Sequence, residues 1–315
     1  MKLRVAAVQA TSANGDVSGN LARATPLVER AARDGAELVV CPEFLATGYA
    51  FEPAVWESAE KRGGPTETWL RTLATKHAIT VGASWLEADG DDFFNTFTLV
   101  EPDGSVAGRV RKESMPAWEG WFCKGSDEPK TIATRFGRIG VGICQDNHTA
   151  RFMRRVVEEA PDLVVMPHSG PCLGPTFAHA ILRHQIATVG SFYARTFGVP
   201  TIVVNKAAGP RARTAIPWLP VVRVPMRFPG LSSICNAKGE ILARLDDGED
   251  VIVADVDLEP GARRSEVTVP DGYWARPPPS IPRLSALFFR VFERLGRSAY
   301  EGSEDRRRKA RTASA

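Results

Sequence analysis

The chain has 315 residues, of which 43% are hydrophobic and 24% charged, enough apolar content to fill a large core and too much for a disordered chain. Its formal net charge is +3, yet residues 281–315 hold nine Lys/Arg against four Asp/Glu, which leaves the first 280 residues at −2. No general basic surface is implied, so the body is not expected to bind nucleic acid, and no apolar run reaches the roughly 18 residues of a membrane span. The five cysteines (Cys41, Cys123, Cys144, Cys172, Cys235) are odd in number and widely spaced, which reads as reduced thiols in a cytoplasmic protein. The opening MKLRVAAVQA alternates like a strand and lacks the long apolar region of a secretory signal.

In chain order, LRVAAVQ at 3–9 predicts a buried strand, and Leu21 to Arg33 an amphipathic helix capped by Asn20 and stopped by Asp34-Gly35. ELVVC gives a second strand at 37–41, so the chain starts strand–helix–strand, which favours α/β organisation. A helix over 66–77, a strand over 79–86 and a hairpin of 94–100 with 106–111 around EPDG follow. Arg138 to Cys144 predicts a strand, 151–159 a helix, 163–166 a strand, 177–190 a helix, 200–205 a strand, and 240–245 and 250–255 two late strands joined by DDGE. Polar neighbours on many strands point to mixed sheets with helices outside. PPP at 277–279 ends the compact body: residues 1–275 read as one domain and 276–315 as an extension. In that extension Leu284, Leu287, Phe288, Val291, Phe292 and Leu295 form one helical stripe. The basic end, 301–315, is expected to be disordered.

Three strands are each followed at once by a reactive side chain: Glu43 after VVCP, Lys112 after RVR, and Cys144 within VGICQD. Strand ends of α/β proteins are the usual place for sites. Singly, each reads as an ordinary residue: a solvated loop acid, a surface charge, a core thiol. Together they would suit thiol chemistry, with Glu43 taking the Cys144 proton and returning it to a leaving nitrogen while Lys112 faces a developing oxyanion.

An ordered set of motifs carries a resemblance. AVQ at 7–9, PEF at 42–44, NT at 95–96, DG at 103–104, VRK at 110–112, GVGICQD at 140–146, VVNKAAG at 203–209 and GLSSI at 230–234 together resemble the nitrilase, or carbon–nitrogen hydrolase, superfamily over residues 3–256. The resemblance implies a four-layer αββα sandwich with two mixed β-sheets, commonly assembled as a homodimer or larger homo-oligomer. It also implies Glu43 as general base and acid, Lys112 as electrostatic stabiliser and Cys144 as nucleophile. Glu119 of PAWEGWF would orient Lys112, and the Gln145 backbone N–H would be the second oxyanion donor. No cofactor or metal is implied.

Departures from the family pattern lie around the triad. Gln145-Asp146 stands where nitrilases usually carry Trp-Glu, which leans toward an amide-type substrate. Ala150-Arg151 replaces Pro-Glu, Arg154 is retained, and Ser114 stands where a histidine is common. Tyr49 and Trp118 read equally as a pocket wall or as core. His168 of MPHSG reads first as a structural histidine and second as a substrate contact. Arg195 and Arg211 are weaker candidates for a substrate carboxylate. Cys172, His179 and His184 match no zinc spacing. The glycines 137, 140 and 142 do not make a phosphate loop, and the glycosylation pattern Asn147-His148-Thr149 is discounted beside the proposed nucleophile.

The expected activity is thiol-dependent hydrolysis of a small non-peptide amide or N-carbamoyl compound through a Cys thioester. Nitrile hydrolysis and a non-catalytic binding role are the alternatives. For the C-terminal helix, docking on the body or on a second subunit is expected ahead of membrane contact.

Overall fold

The computed structural model describes the chain except residues 117, 174–175, 210–211, 218, 260–262, 265 and 277–281. The side chains of 172–173, 176–179, 212, 220 and 282–285 also lie outside the description. The triple proline, Arg211 and the side chains of Cys172, His179 and Leu284 therefore fall outside it.

The first half contains β1 (Lys2–Gln9), α1 (Val17–Arg33), β2 (Leu38–Val40), α2 (Pro65–His77), β3 (Thr80–Asp89), β4 (Asp92–Val100), β5 (Val106–Arg111), β6 (Thr131–Thr134) and β7 (Gly137–Val141). Then come α3 (Ala150–Glu159), β8 (Leu163–Pro167), β9 (Cys172–Leu173), α4 (Thr176–Phe197), β10 (Thr201–Val204), β11 (Ala212–Ile216), β12 (Leu219–Arg227), β13 (Ser233–Cys235), β14 (Ile241–Arg244) and β15 (Asp250–Asp257). Helices α5 (Pro282–Gly302) and α6 (Glu304–Ser314) close the chain.

Two six-stranded sheets form the centre, in the orders β15-β1-β2-β3-β4-β5 and β14-β13-β10-β8-β7-β6. Both are mixed. β1, β2 and β3 are parallel, as are β7, β8 and β10, while the outer pairs of each sheet are antiparallel. The two-residue period of each strand explains the layering. Val5, Ala7, Leu38 and Val40 of the first sheet meet Leu163, Val165, Ile202 and Val204 of the second in one core between the sheets. Their alternates face outward under helices: Ala6, Val8 and Val39 lie beneath α1 and α2, and Val164, Met166 and Val203 beneath α3 and α4. Strands covered on both faces read as continuous apolar runs, as these do. The result is the four-layer sandwich of helix, sheet, sheet and helix. β14 and β15 belong to different sheets, so the acidic turn between them crosses the sandwich.

Several expectations need correction. Asp16, not Asn20, caps α1, its carboxylate accepting from Gly19 N at 3.0 Å. Asn20 lies inside the helix, donating from Nδ2 to the carbonyls of Ala13 and Ala46. β7 stops at Val141, and Cys144 begins a short 3₁₀ turn, Cys144–His148. Helix α4 runs seven residues beyond Gly190, to Phe197. A hairpin of β11 and β12 extends with β9 into a third sheet that no periodicity announced.

The C-terminal end is ordered rather than disordered. Ser303 caps α6, and Arg306 is buried, pairing with Asp92 at 2.9 Å and with the Asp91 carbonyl. Arg311 pairs with Asp91, and Ala310 is buried among Trp56 and Phe93. On α5 the apolar stripe divides. Phe292 faces Trp121 and Phe289 faces Trp274, while Leu287, Phe288, Val291 and Leu295 are exposed.

Truncation after Ser280 removes these contacts and uncovers the aromatic cluster. We expect the melting temperature to fall by several degrees, or the molar mass of an oligomer to fall. Calorimetry and light scattering on the shortened chain check this. Unchanged melting and mass would overturn it.

Candidate active site

The reactive residues converge because parallel strands end at one edge. Glu43 follows β2, Lys112 follows β5, Cys144 follows β7, Ser169 follows β8 and Lys206 follows β10. Glu43 and Lys112 are fully buried and Glu119 is 2% exposed. Lys112 Nζ donates to Glu43 Oε1 at 2.7 Å and to Glu119 Oε1 and Oε2 at 2.9 and 2.7 Å. Asn95 Nδ2 spans the same two carboxylates, at 2.7 Å from Glu43 and 3.2 Å from Glu119. Ser84 Oγ fixes the Asn95 amide by donating to its Oδ1 at 2.6 Å. The second Glu43 oxygen accepts from Ser169 N at 2.6 Å, and Ser169 Oγ donates to the Glu43 carbonyl at 2.5 Å. Each proton of the ammonium thus has a carboxylate oxygen, and both oxygens of Glu43 are held by hydrogen bonds.

Cys144 adjoins this cluster at the start of its 3₁₀ turn, buried and with φ at +50°. Phe44, directly after Glu43, has φ at +48°. Left-handed backbone at non-glycine residues costs energy and persists only where surrounding bonds impose it. At Phe44 the carbonyl accepts from the buried Lys206 Nζ at 3.0 Å and the N–H donates to Ser84 Oγ at 3.2 Å. At Cys144 the restraint comes from Asp146 and Asn147. Asp146 Oδ1 accepts from Ser114 N at 2.7 Å and from Glu113 N, while its Oδ2 accepts from Ile143 N. Asn147 Nδ2 donates to Gly142 O at 2.6 Å. A Cβ at Gly142 would run into Asn147 Oδ1 and the Phe152 ring, so glycine is required there.

Burial dominates the electrostatics. It pushes the Cys144 thiol well above its usual range, and the nearby Glu43 carboxylate pushes it further, against the pull of Lys112. The thiol is therefore neutral in the resting site. Burial opposes the Lys112 ammonium, but Glu119 and Glu43 outweigh it and hold it protonated well above the ordinary lysine value. Burial raises the Glu119 carboxyl to about 7 against the attraction of Lys112. Asp146 is raised to about 6, again by burial. Burial lowers Lys206 to about 7 and His168 to about 4.

Of the remaining sequence candidates, Tyr49 joins the site. Its hydroxyl donates to Glu119 Oε2 at 3.3 Å, and its ring lies 4.8 Å from Phe51 and 6.2 Å from Phe228. Trp118 packs edge-on to Phe51 at 5.7 Å, in the same aromatic wall. Gln145 is buried beside Cys144, its Nε2 donating to the Tyr273 hydroxyl at 3.4 Å. His168 is buried, its Nδ1 donating to Met166 O at 2.8 Å, and its Nε2 has no partner among the described residues. Arg195 does not join. It is exposed on α4 and lines a separate surface cavity with Phe192 and Arg264. Ile186, Val189, Tyr193 and Phe197 set the buried side of that helix, and Arg195 falls two residues out of their phase. Asn147 of the glycosylation pattern is buried.

Sequence reasoning missed Asn95, Ser169 and Lys206 as individual contacts, and also the bracing role of Asp146. The NT and VVNKAAG motifs flagged two of those positions without giving either a partner. Among the described residues, no group of three His, Cys, Asp or Glu is placed to hold a metal ion.

The raised Glu119 carboxyl has a consequence for stability. Between the ordinary carboxylate range and about pH 7 the folded chain holds a proton that the unfolded chain releases. That contribution is complete below the unfolded value and is lost as pH rises through about 7. Relative to wild type, Glu119→Gln is expected to gain stability as pH is raised from about 5 to about 8. Urea unfolding of both proteins at the two pH values checks the sign, and a constant difference would contradict it.

Comparison with known proteins shows the family and the fold. The family model for carbon-nitrogen hydrolase matches residues 4–263. The chain is 28% identical over 257 residues to the N-carbamoylputrescine amidase of Arabidopsis thaliana, covering 78% of this chain and 83% of that protein. It is 27% identical over 261 residues to a protein named nitrilase from Pyrococcus abyssi, covering 81% and 90%. Among solved structures, the carbon-nitrogen hydrolase from Helicobacter pylori G27 superposes with a TM-score of 0.73 at 22% identity, covering 82% of this chain and 90% of that one. With its family match spanning most of the sequence, its sandwich shared, and a buried cysteine at the end of a central strand, the chain belongs to the carbon–nitrogen hydrolase family.

Proposed function

We propose that the protein hydrolyses a non-peptide C–N bond in a small amide or N-carbamoyl compound, with Cys144 as nucleophile. The observation that carries this reading is the buried Glu43–Lys112–Glu119 cluster beside Cys144. A neutral thiol next to a fixed carboxylate calls for general-base activation rather than a standing thiolate.

In the proposed sequence, Glu43 takes the Cys144 proton as Sγ attacks the carbonyl carbon. The carbonyl oxygen becomes an oxyanion held by Lys112 and the Gln145 amide. As the intermediate collapses, the C–N bond breaks and Glu43 gives its proton to the departing ammonia or amine, leaving a thioester. Glu43 then deprotonates a water molecule, whose oxygen attacks the thioester carbon. The C–S bond breaks, the thiol regains its proton from Glu43, and the carboxylic product leaves. With an N-carbamoyl compound the intermediate is an S-carbamoyl thioester and the product is carbamic acid, which falls to carbon dioxide and ammonia. Glu119 keeps Lys112 charged and aimed throughout. Tyr49, Phe51 and Trp118 would bound the apolar part of the substrate. Gln145-Asp146 after the cysteine and the amidase relative favour an amide-type bond. The relative named nitrilase favours a second reading, attack on a nitrile carbon.

A panel of amides, ureido acids and nitriles, with ammonia release and intact-protein mass as readouts, tests the proposal. We expect turnover of an amide or ureido compound and an acyl adduct on Cys144. Cys144→Ala should abolish both, and Lys112→Met should slow turnover by about 10²–10³. Turnover confined to nitriles would install the second reading. No release and no adduct across the panel would instead indicate a binding protein with this fold.

A further inference from the structure

The C-terminal helix α5 touches both turns that carry the site. Gly296 lies against the 119–121 turn so closely that a Cβ there would stand 2.9 Å from Gly120 C and 2.8 Å from Trp121 Cε3. Phe292, one turn earlier, faces the Trp121 ring at 6.2 Å. This is the turn whose first residue, Glu119, holds Lys112.

The second contact reaches the nucleophile turn. Glu293 Oε1 accepts from the Tyr273 hydroxyl at 2.6 Å, and that hydroxyl accepts from Gln145 Nε2 at 3.4 Å. The segment around Tyr273 is pinned to the same turn by backbone. Ala150 N donates to Tyr273 O at 3.0 Å, and Ala275 N donates to His148 O at 2.9 Å. Further along α5, the Tyr300 hydroxyl accepts from Phe93 N at 2.7 Å on β4, two residues before Asn95. One helix outside the sandwich thus bears on the segments holding Glu119, Gln145 and Asn95.

We propose that Glu293, acting through Tyr273, is a positioning residue for the Cys144–Gln145 turn. Anchoring the Gln145 side chain fixes the backbone that aims its N–H at the oxyanion. The inference rests on the catalytic reading above, in which that N–H is an oxyanion donor. Neither Glu293 nor Tyr273 contacts Glu43 or Lys112 among the described hydrogen bonds, so the proton-transfer groups are left in place when either is changed. A donor displaced by a fraction of an ångström loses most of its value in the transition state while barely altering ground-state binding.

The test uses the full-length chain and whichever compound of the panel the wild type turns over. Tyr273→Phe and Glu293→Ala are each expected to lower kcat about 10-fold or more with KM within about two-fold. The double variant should be no worse than either single, because both break one chain of hydrogen bonds. Glu293→Gln, which retains an acceptor oxygen, should restore most of the rate. The alkylation rate of Cys144 by iodoacetamide and the melting temperature should stay near wild type in all of them. Unchanged kcat, additive losses, or losses that track a fall in melting temperature would each overturn the proposal. A wild type with no turnover and no Cys144 adduct would remove the catalytic reading together with this one. A competent wild type with indifferent variants would remove this one alone.

Discussion

Lys112 directs its N–H bonds at two carboxylates in a space closed to water, and the layout of the rest of the site follows from that arrangement. An ammonium left alone there would be neutralised, because removing one partner of a buried ion pair costs roughly 3–5 kcal/mol. Two carboxylates left alone would repel each other and take up protons. The cluster is stable only as a set, with Asn95 and Ser169 filling the remaining acceptor sites. Its requirements tie the ends of β2, β5 and β8 to the middle of β4. Glu43 and Ser169 follow β2 and β8, Lys112 and Glu119 both follow β5, and Asn95 lies within β4, so a strand displaced by one residue would turn its contribution away from the cluster.

The same charges govern the sulfur. Burial, and after it the nearby Glu43 carboxylate, disfavour a thiolate at Cys144 against the pull of Lys112. This contrasts with sites where a cation stabilises a standing thiolate. Under the proposed mechanism the thiol stays silent until a carbonyl carbon is near enough for the S–C bond to form as the proton leaves. In the proposed mechanism the ammonium, which balances the carboxylates at rest, then faces a new oxyanion, so its strongest interaction would develop in the transition state.

Much of this was legible in the sequence, for physical reasons. Strands buried on both faces appear as apolar runs, as before Glu43, whereas β5 before Lys112 carries two arginines. Singly, Glu43, Lys112 and Cys144 read as ordinary residues, and the ordered set of motifs is what singled them out. The hairpin around EPDG and the outer helices declared themselves by period and turn chemistry. Partner choice was not legible. Asn95 looks like any polar residue in a strand, and nothing local says that its amide spans two carboxylates. Arg195 was a weak candidate because a guanidinium can pair with a substrate carboxylate, but the phase of α4 turns it to solvent. The basic end was misread for a related reason. Composition counts charges without their partners, and Asp91 and Asp92 on a distant hairpin supply those partners for Arg306 and Arg311.

The extension outside the sandwich packs against segments that carry the site. A helix with one exposed apolar side and one docked side has little reason to adopt a single position unless polar contacts fix its register. On α5 these are Glu293 with Tyr273 and Tyr300 with the Phe93 N–H, while Gly296 sets the distance of approach. Tyr273 and Phe93 each lie next to a segment that carries site residues. Register in the extension and geometry in the site are thus held by the same bonds. On the proposed role of Glu293, a change at α5 would be transmitted inward, because a closely packed interface has few intermediate positions to settle in.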